Sequence, residues 1–125
     1  MLRGGLIFIA AFYVAFGAYI FIAPMSFYTR TPGVEMLGPF SVHFIRDAGL
    51  AYFAGGAVIL SGALRFNRSL AIAGALWPCL HALFHLQMWI ARGFPADLVA
   101  LVNLFGIQLP AWLALYLAWR LRSSE

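Results

Sequence analysis

The sequence predicts an all-α fold, an integral membrane bundle of four antiparallel, up-and-down helices that form a single domain over residues 1–125. Two features of the composition predict it, because 64% of the residues are hydrophobic and only 10% are charged. A soluble domain usually carries about 25% charged residues, and disordered chains combine low hydrophobicity with high charge. The third observation is length, since four membrane-spanning helices of about 20 residues each would use nearly all of the apolar residues.

The first predicted helix covers about residues 5–23 and ends at Pro24. Its length, and the lack of a small-residue cleavage pattern before Pro24, favour a retained helix over a signal peptide. The following segment, 24–40, is rich in proline and glycine and therefore predicts a loop. Within it, Phe27 and Tyr28 are typical aromatic anchors of a membrane interface.

The second predicted helix covers about residues 41–64 and starts at Ser41, a residue type that favours the N-cap position. A short polar turn at 65–68 leads to the third helix, at about 69–91. The fourth helix covers about 96–119. Because the turn at 65–68 is short, we expect the second and third helices to be antiparallel neighbours.

The arginines are distributed unevenly among the loops and termini, and the chain contains no lysine. Five of them lie on one predicted side, namely Arg3, Arg65, Arg68, Arg120 and Arg122. On the opposite side lie Arg30 and Arg92. The positive-inside rule therefore predicts a multi-pass protein of the inner (plasma) membrane with both termini in the cytoplasm.

Several other classes of protein are disfavoured. The arginines are scattered between apolar segments and form no basic run, so nucleic acid is not an expected partner. A single cysteine excludes an internal disulfide and a cysteine-based metal cluster. The sequence has no phosphate-binding loop and no nucleophile elbow, which argues against ATP-driven and serine-hydrolase activities.

Ionisable residues inside the predicted helices are the strongest functional signal, because burying them in a bilayer is costly. His43 and Asp47 are four residues apart, and so are His81 and His85, so each pair shares one helix face. Counted from the outer ends of their helices, Asp47 and His85 both lie about 9 Å deep and His81 about 15 Å deep. The two pairs are therefore expected to meet in the outer half of the bilayer.

Three imidazoles and one carboxylate are a suitable ligand set for one transition-metal ion, copper, iron or zinc. The sequence thus predicts a metal site formed by His43, Asp47, His81 and His85. Residues expected to support the ligands or contact a bound molecule are Arg46, Asn103, Tyr19 (or Tyr13) and Met88. Met88 is a possible soft ligand that favours copper, and Arg46 is either a charge partner for an anionic ligand or a structural group that reaches the headgroups.

Other interpretations of these polar residues stay open at this point. They are also found in hydrogen-bonded networks that join helices, and in proton or quinone pathways, although the convergence of four ionisable residues at one depth favours the metal site over both. A haem b site is a further alternative, with His43 and His81 or His85 as axial ligands from two helices. One haem cannot take both histidines of an i,i+4 pair as its two axial ligands, however, and that leaves one histidine unexplained.

One resemblance comes from three short motifs. They are an Ala-Pro pair at 23–24, the sequence His-Phe-Ile-Arg-Asp-Ala-Gly at 43–49, and His-Ala-Leu-Phe-His at 81–85. The chain resembles small bacterial membrane proteins that are similar in layout to the DoxX-like four-helix family. The resemblance implies a four-helix membrane bundle with a redox or accessory role, and it supplies no set of catalytic residues.

Three functions are compatible with these features. The first is a membrane metalloprotein, either an oxidoreductase acting on a lipophilic small molecule or a protein that handles metal. The second is an electron-transfer protein that binds haem b or quinone. The third is a non-catalytic subunit of a homo-oligomer or a larger membrane complex. The sequence does not decide whether the protein is an enzyme.

Overall fold

The computed structural model describes residues 2–122, which form helices joined by short turns. Four helices are long and apolar enough to cross a membrane: α1 (Leu2–Ile22), α3 (Val42–Leu64), α4 (Arg68–Ala91) and α5 (Leu98–Trp119). A short helix, α2 (Pro24–Arg30), and a 3-10 turn (Glu35–Leu37) lie between α1 and α3. No strand occurs within residues 2–122, so the all-α prediction is confirmed for this part of the chain.

The segment predicted as a loop at 24–40 is partly helical, which corrects the interpretation from sequence. Pro24 stands at the start of α2, where a helix needs no backbone N–H donor and the fixed φ of proline is favourable. The Phe27 ring packs against Phe16 of α1, with the ring centres 5.9 Å apart. The Tyr28 hydroxyl donates to the carbonyl oxygen of Gly38 at 2.9 Å. These contacts fold the segment back onto the bundle.

Polar side chains cap the starts of three long helices, and at α5 the capping residue is Asp97, whose carboxylate accepts from the Ala100 N–H at 2.8 Å. Ser41 is the N-cap of α3, as predicted, and its hydroxyl oxygen accepts a hydrogen bond from the Phe44 N–H. At the start of α4, the Asn67 side-chain oxygen accepts from the Leu70 N–H at 2.9 Å. Such caps satisfy backbone N–H groups that have no partner within the helix.

Glycines let the backbones of neighbouring helices approach closely. A Cβ atom at Gly17 of α1 would overlap the backbone of Phe53 in α3, and one at Gly62 of α3 would overlap the backbone of Ala71 in α4. Such close approach through small residues is typical of packed membrane helices.

The fourth long helix closes the bundle. Cys79 of α4 lies against α5, where its thiol donates to the carbonyl oxygen of Ala111 at 3.5 Å. Leu117 of α5 and Leu6 of α1 belong to the same buried cluster. The order of packing is therefore α1, α3, α4, α5 and back to α1.

The two ends of the bundle differ in charge and in shape. At one end the Arg3 side chain donates to the carbonyl oxygens of Ala63 (3.0 Å) and Leu64 (3.3 Å), which joins the start of α1 to the end of α3. At the same end Arg68 lies over the ring of Trp119, 5.5 Å from its centre. We call this the arginine end, and we call the opposite end, which carries the segments 31–41 and 92–97, the loop end.

Helix α5 contains one irregular stretch. Residues Asn103–Gln108 form a π-helical segment, and the N–H of Leu109 bonds to the carbonyl oxygen of Leu104, one residue further back than in an α-helix. Pro110 explains the change, because its ring supplies no N–H and crowds the carbonyl group four residues before it. Single π turns of this kind are frequently found at functional sites.

Candidate functional site

The two histidines of α4 lie next to each other, as their spacing predicts. Their ring centres are 4.5 Å apart, and both side chains are partly buried. Counted back from the end of α4 at Ala91, His85 lies about 9 Å and His81 about 15 Å inside the helix. The pair therefore presents two imidazoles on one face of a single helix, inside the apolar length of that helix.

Aromatic rings surround this pair on the side of α3. The His81 ring stacks on Trp77, with centres 4.9 Å apart and planes 13° from parallel. The Tyr52 ring is nearly perpendicular to both of these rings, and its centre lies 4.8 Å from that of Trp77 and 5.5 Å from that of His81. Tyr52 in turn contacts Tyr13 of α1 at 5.7 Å. We call Tyr13, Tyr52, Trp77, His81 and His85 the aromatic–histidine cluster.

The cluster lies where three helices meet. Tyr13 is only 1% exposed and Tyr52 only 6% exposed, so both belong to the interior of the bundle. Tyr52 was not a predicted site residue, although it follows Ile45 and Gly49 at the spacing of one buried helix face. Trp77 was not a predicted site residue either. Its position four residues before His81 places it on the histidine face.

His43 and Asp47 form the other predicted pair, but it lies elsewhere. Their side chains are 3.5 Å apart and are 88% and 59% exposed. The buried face of α3 carries Ile45, Gly49 and Tyr52. At about 100° per residue, positions 43 and 47 lie roughly 200° around the helix from position 45. They therefore point away from the interior.

The four predicted metal ligands do not come together in this structure. Within residues 2–122, no group of three or more histidine, cysteine, aspartate or glutamate side chains is placed to hold a metal ion. The expected shared cavity around His43, Asp47, His81 and His85 is thus replaced by two separate pairs. The reason is the rotation of α3, which turns its pair outward. Whether the chain binds a metal stays a prediction.

Arg46 contacts the end of α1. Its Nε atom donates to the carbonyl oxygen of Phe21 at 3.2 Å, and its guanidinium lies 5.3 Å from the centre of the Phe21 ring. Carbonyl groups in the last turn of a helix lack helical partners and carry partial negative charge. Arg46 therefore joins α3 to the end of α1, which supports a structural role for this residue.

Two further predicted residues occupy different surroundings. Tyr19 is 39% exposed, and its hydroxyl lies 3.0 Å from the hydroxyl of Ser26, so its polar group is engaged at the junction of α1 and α2. Met88 is partly buried. It follows His81 by seven residues and His85 by three, a spacing that keeps it on the histidine face of α4.

Asn103 takes part in a polar network between α4 and α5. It is buried, and its Oδ1 atom accepts from Nε2 of Gln108 at 3.1 Å. The same Gln108 nitrogen donates to the carbonyl oxygen of Ala82 at 2.7 Å, and Gln108 Oε1 accepts from Nε1 of Trp112 at 3.0 Å. Gln108 was not among the predicted site residues. Its position at the centre of this network depends on the π-helical segment, which no simple sequence pattern predicts.

The chemistry available at the cluster is limited and specific. Two imidazole nitrogens and one thioether on a single helix face are donors suited to copper, and the imidazoles also suit zinc and iron. The adjoining rings of Trp77 and Tyr52 offer flat apolar surface. Comparison with protein families, with curated proteins and with solved structures gives no match for this chain.

Proposed function

We propose that this chain is a multi-pass protein of the inner (plasma) membrane that binds a transition-metal ion through His81 and His85. The observation that supports it is the 4.5 Å approach of the two rings inside the apolar length of α4. Imidazoles in a bilayer are unfavourable unless they are hydrogen-bonded or coordinated. Coordination by both rings of an i,i+4 pair would compensate for that cost.

Copper is the metal that this set of donors favours. Imidazole and thioether ligands both bind copper, and Met88 offers the thioether on the same face. Two or three protein ligands leave coordination positions open, which is the arrangement of reactive rather than structural metal sites. We therefore propose that the open positions take a small, lipophilic molecule from the bilayer.

The orientation is part of the same proposal. The arginine end faces the cytoplasm, since the positive-inside rule places the larger number of arginines there. His85 then lies in the outer half of the membrane. The site would exchange metal and ligand with the outer face or with the outer leaflet.

Metal analysis of the purified protein tests the binding. The protein is purified in a mild neutral detergent, titrated with Cu⁺, Zn²⁺ and Fe²⁺ in turn, and its bound metal is measured by mass spectrometry of the element. We expect about one ion per chain, and we expect His81→Ala and His85→Ala each to remove most of it. A wild-type protein that takes up no metal would contradict the proposal.

His43→Ala is the matched control. It removes the same kind of side chain from the exposed pair, and we expect it to leave the bound metal unchanged. A loss of metal in His43→Ala as large as that in His81→Ala would instead support the four-ligand site expected from the sequence. The control thus separates the two ligand sets.

A second candidate function is the binding of haem b or quinone. The stacking of His81 on Trp77 favours it, because a flat aromatic molecule fits against such a surface. A Soret absorption band in the purified protein would identify haem, and organic extraction would identify quinone. Either result, with His81→Ala abolishing it, would replace the metal site by this alternative.

A further inference from the structure

The charged residues divide unequally between the two ends of the bundle. Within residues 2–122, the loop end carries three arginines and three acidic residues, namely Arg30, Arg46, Arg92, Glu35, Asp47 and Asp97. The arginine end carries five arginines and, in the same part of the chain, no acidic residue: Arg3, Arg65, Arg68, Arg120 and Arg122. The formal positive charge of the bundle is therefore concentrated at one end.

Contacts bring these arginines to one surface. Arg3 is bound to the end of α3 through two backbone carbonyl groups, and its guanidinium lies 4.0 Å from the centre of the Phe66 ring. Arg68 at the start of α4 and Arg120 at the end of α5 lie over Trp119 and Tyr116, at 5.5 Å and 5.9 Å. The start of α1, the end of α5 and the α3–α4 turn thus contribute to the same surface.

Within the described part of the chain, 2–122, no ion pair neutralises the charges at this surface. Neither of the two ion pairs found within residues 2–122 involves an arginine of this end. Arg65, Arg120 and Arg122 are exposed. Guanidinium groups bind phosphate oxygens through paired N–H donors, and tyrosine and tryptophan rings prefer the headgroup level of a membrane.

We propose that the arginine end binds the phosphate groups of anionic phospholipids, with Arg65, Arg68 and Arg120 as the principal donors. The inference rests on the membrane location given under the proposed function, and it is independent of the metal site. Charge complementarity favours this occupant, because the cytoplasmic leaflet carries negative lipids that attract basic groups at its surface. The rings beneath Arg68 and Arg120 hold two of these groups at headgroup level.

Native mass spectrometry of the detergent-solubilised full chain tests the proposal. Phosphatidylglycerol and phosphatidylcholine with identical acyl chains are added separately, and the bound lipid is counted. We expect phosphatidylglycerol to bind at least about tenfold more tightly. The triple variant Arg65→Gln/Arg68→Gln/Arg120→Gln should lose most of this preference, whereas Arg30→Gln, an exposed arginine of the loop end, should keep it.

Further measurements decide the remaining outcomes. Equal binding of both lipids to the wild-type protein, or an unchanged preference in the triple variant, would overturn the proposal. Displacement of the lipid by millimolar inorganic phosphate would also overturn it, because the site would then recognise phosphate alone. If the triple variant does not fold, the corresponding lysine variant keeps the charge and should keep most of the preference. Metal content is measured on the same samples, so a failure here is distinguishable from a failure of the metal site.

Discussion

At the scale of single residues, Gln108 joins α4 to α5 with one side-chain amide. It donates to Ala82 and to Asn103 and accepts from Trp112. A buried polar group that loses its partner costs free energy, because nothing in an apolar interior replaces the bond. The neighbouring Asn103 depends on this partner, since it is only 7% exposed.

We predict that Gln108→Leu lowers the free energy of unfolding by about 1 kcal/mol. Unfolding in mixed micelles of increasing SDS content measures the change. The double variant Asn103→Leu/Gln108→Leu is the control, and it should lose less than the sum of the two single changes, because the two residues interact directly. Strict additivity would show that the bond contributes nothing.

Asp97 at the loop end gives a prediction about how the stability of the protein depends on pH. The Ala100 N–H, which donates to Oδ1 at 2.8 Å, and then the Arg92 guanidinium, 2.6 Å from Oδ2, hold the pKa of the Asp97 carboxyl below its usual range. A lowered pKa in the folded state means that the ionised carboxylate stabilises the fold. This stabilisation is fully present above about pH 4, the ordinary pKa of aspartate in an unfolded chain. It is lost as the pH falls from there through the lowered pKa of the folded state.

The measurement is a series of melting temperatures in detergent from pH 7 to pH 3, for the wild-type protein and for Asp97→Asn. Asparagine keeps the oxygen that caps α5 but loses the charge. The wild-type protein should be the more stable at neutral pH, and the difference should shrink below about pH 4. A constant difference over the whole range would contradict the role of the charge.

The residue scale also shows what the sequence could and could not predict. The i,i+4 spacing correctly predicted that His81 meets His85 and that His43 meets Asp47, since it depends only on helix geometry. It did not predict which way each pair faces. The outward direction of His43 follows from the apolar residues of α3 that are buried on the opposite face. The spacing of His43 and Asp47 alone does not give that direction.

At the scale of helices, packing depends on positions where only a hydrogen atom fits. Gly62 of α3 lies so close to Ala71 that any side chain would meet the backbone of α4. We predict that Gly62→Val costs about 1 to 3 kcal/mol in the free energy of unfolding, because the two helices must move apart. Gly4→Val in α1 is the control, since a Cβ atom there has no atom within 4 Å. Equal effects of both changes would show that helix propensity, not packing, is responsible.

The four long helices were predictable because their apolar stretches match a membrane thickness. The observed ends at Ile22, Leu64, Ala91 and Trp119 lie within one residue of the expected ones. Helix α2 and the π-helical segment were not predictable from hydropathy. Both follow from prolines, Pro24 and Pro110, that act through the hydrogen bonds of the backbone rather than through polarity.

At the scale of the whole molecule, the unequal charge of the two ends gives the last prediction, the orientation in the membrane. The loops and termini carry five arginines at the arginine end and two at the loop end, Arg30 and Arg92. Positively charged segments are retained in the cytoplasm, so both termini and the α3–α4 turn should lie there. Reporter fusions at position 125 and at position 66 should report the cytoplasm, and fusions at positions 36 and 94 the opposite side.

The same orientation can be tested with arginine variants. Replacing Arg65 and Arg68 by glutamine should weaken the orientation bias, whereas Arg30→Gln should strengthen it, because the rule depends on the difference in the number of arginines between the two sides. Reporters that place the ends of the sequence on opposite faces would refute the orientation, together with the outward-facing metal site.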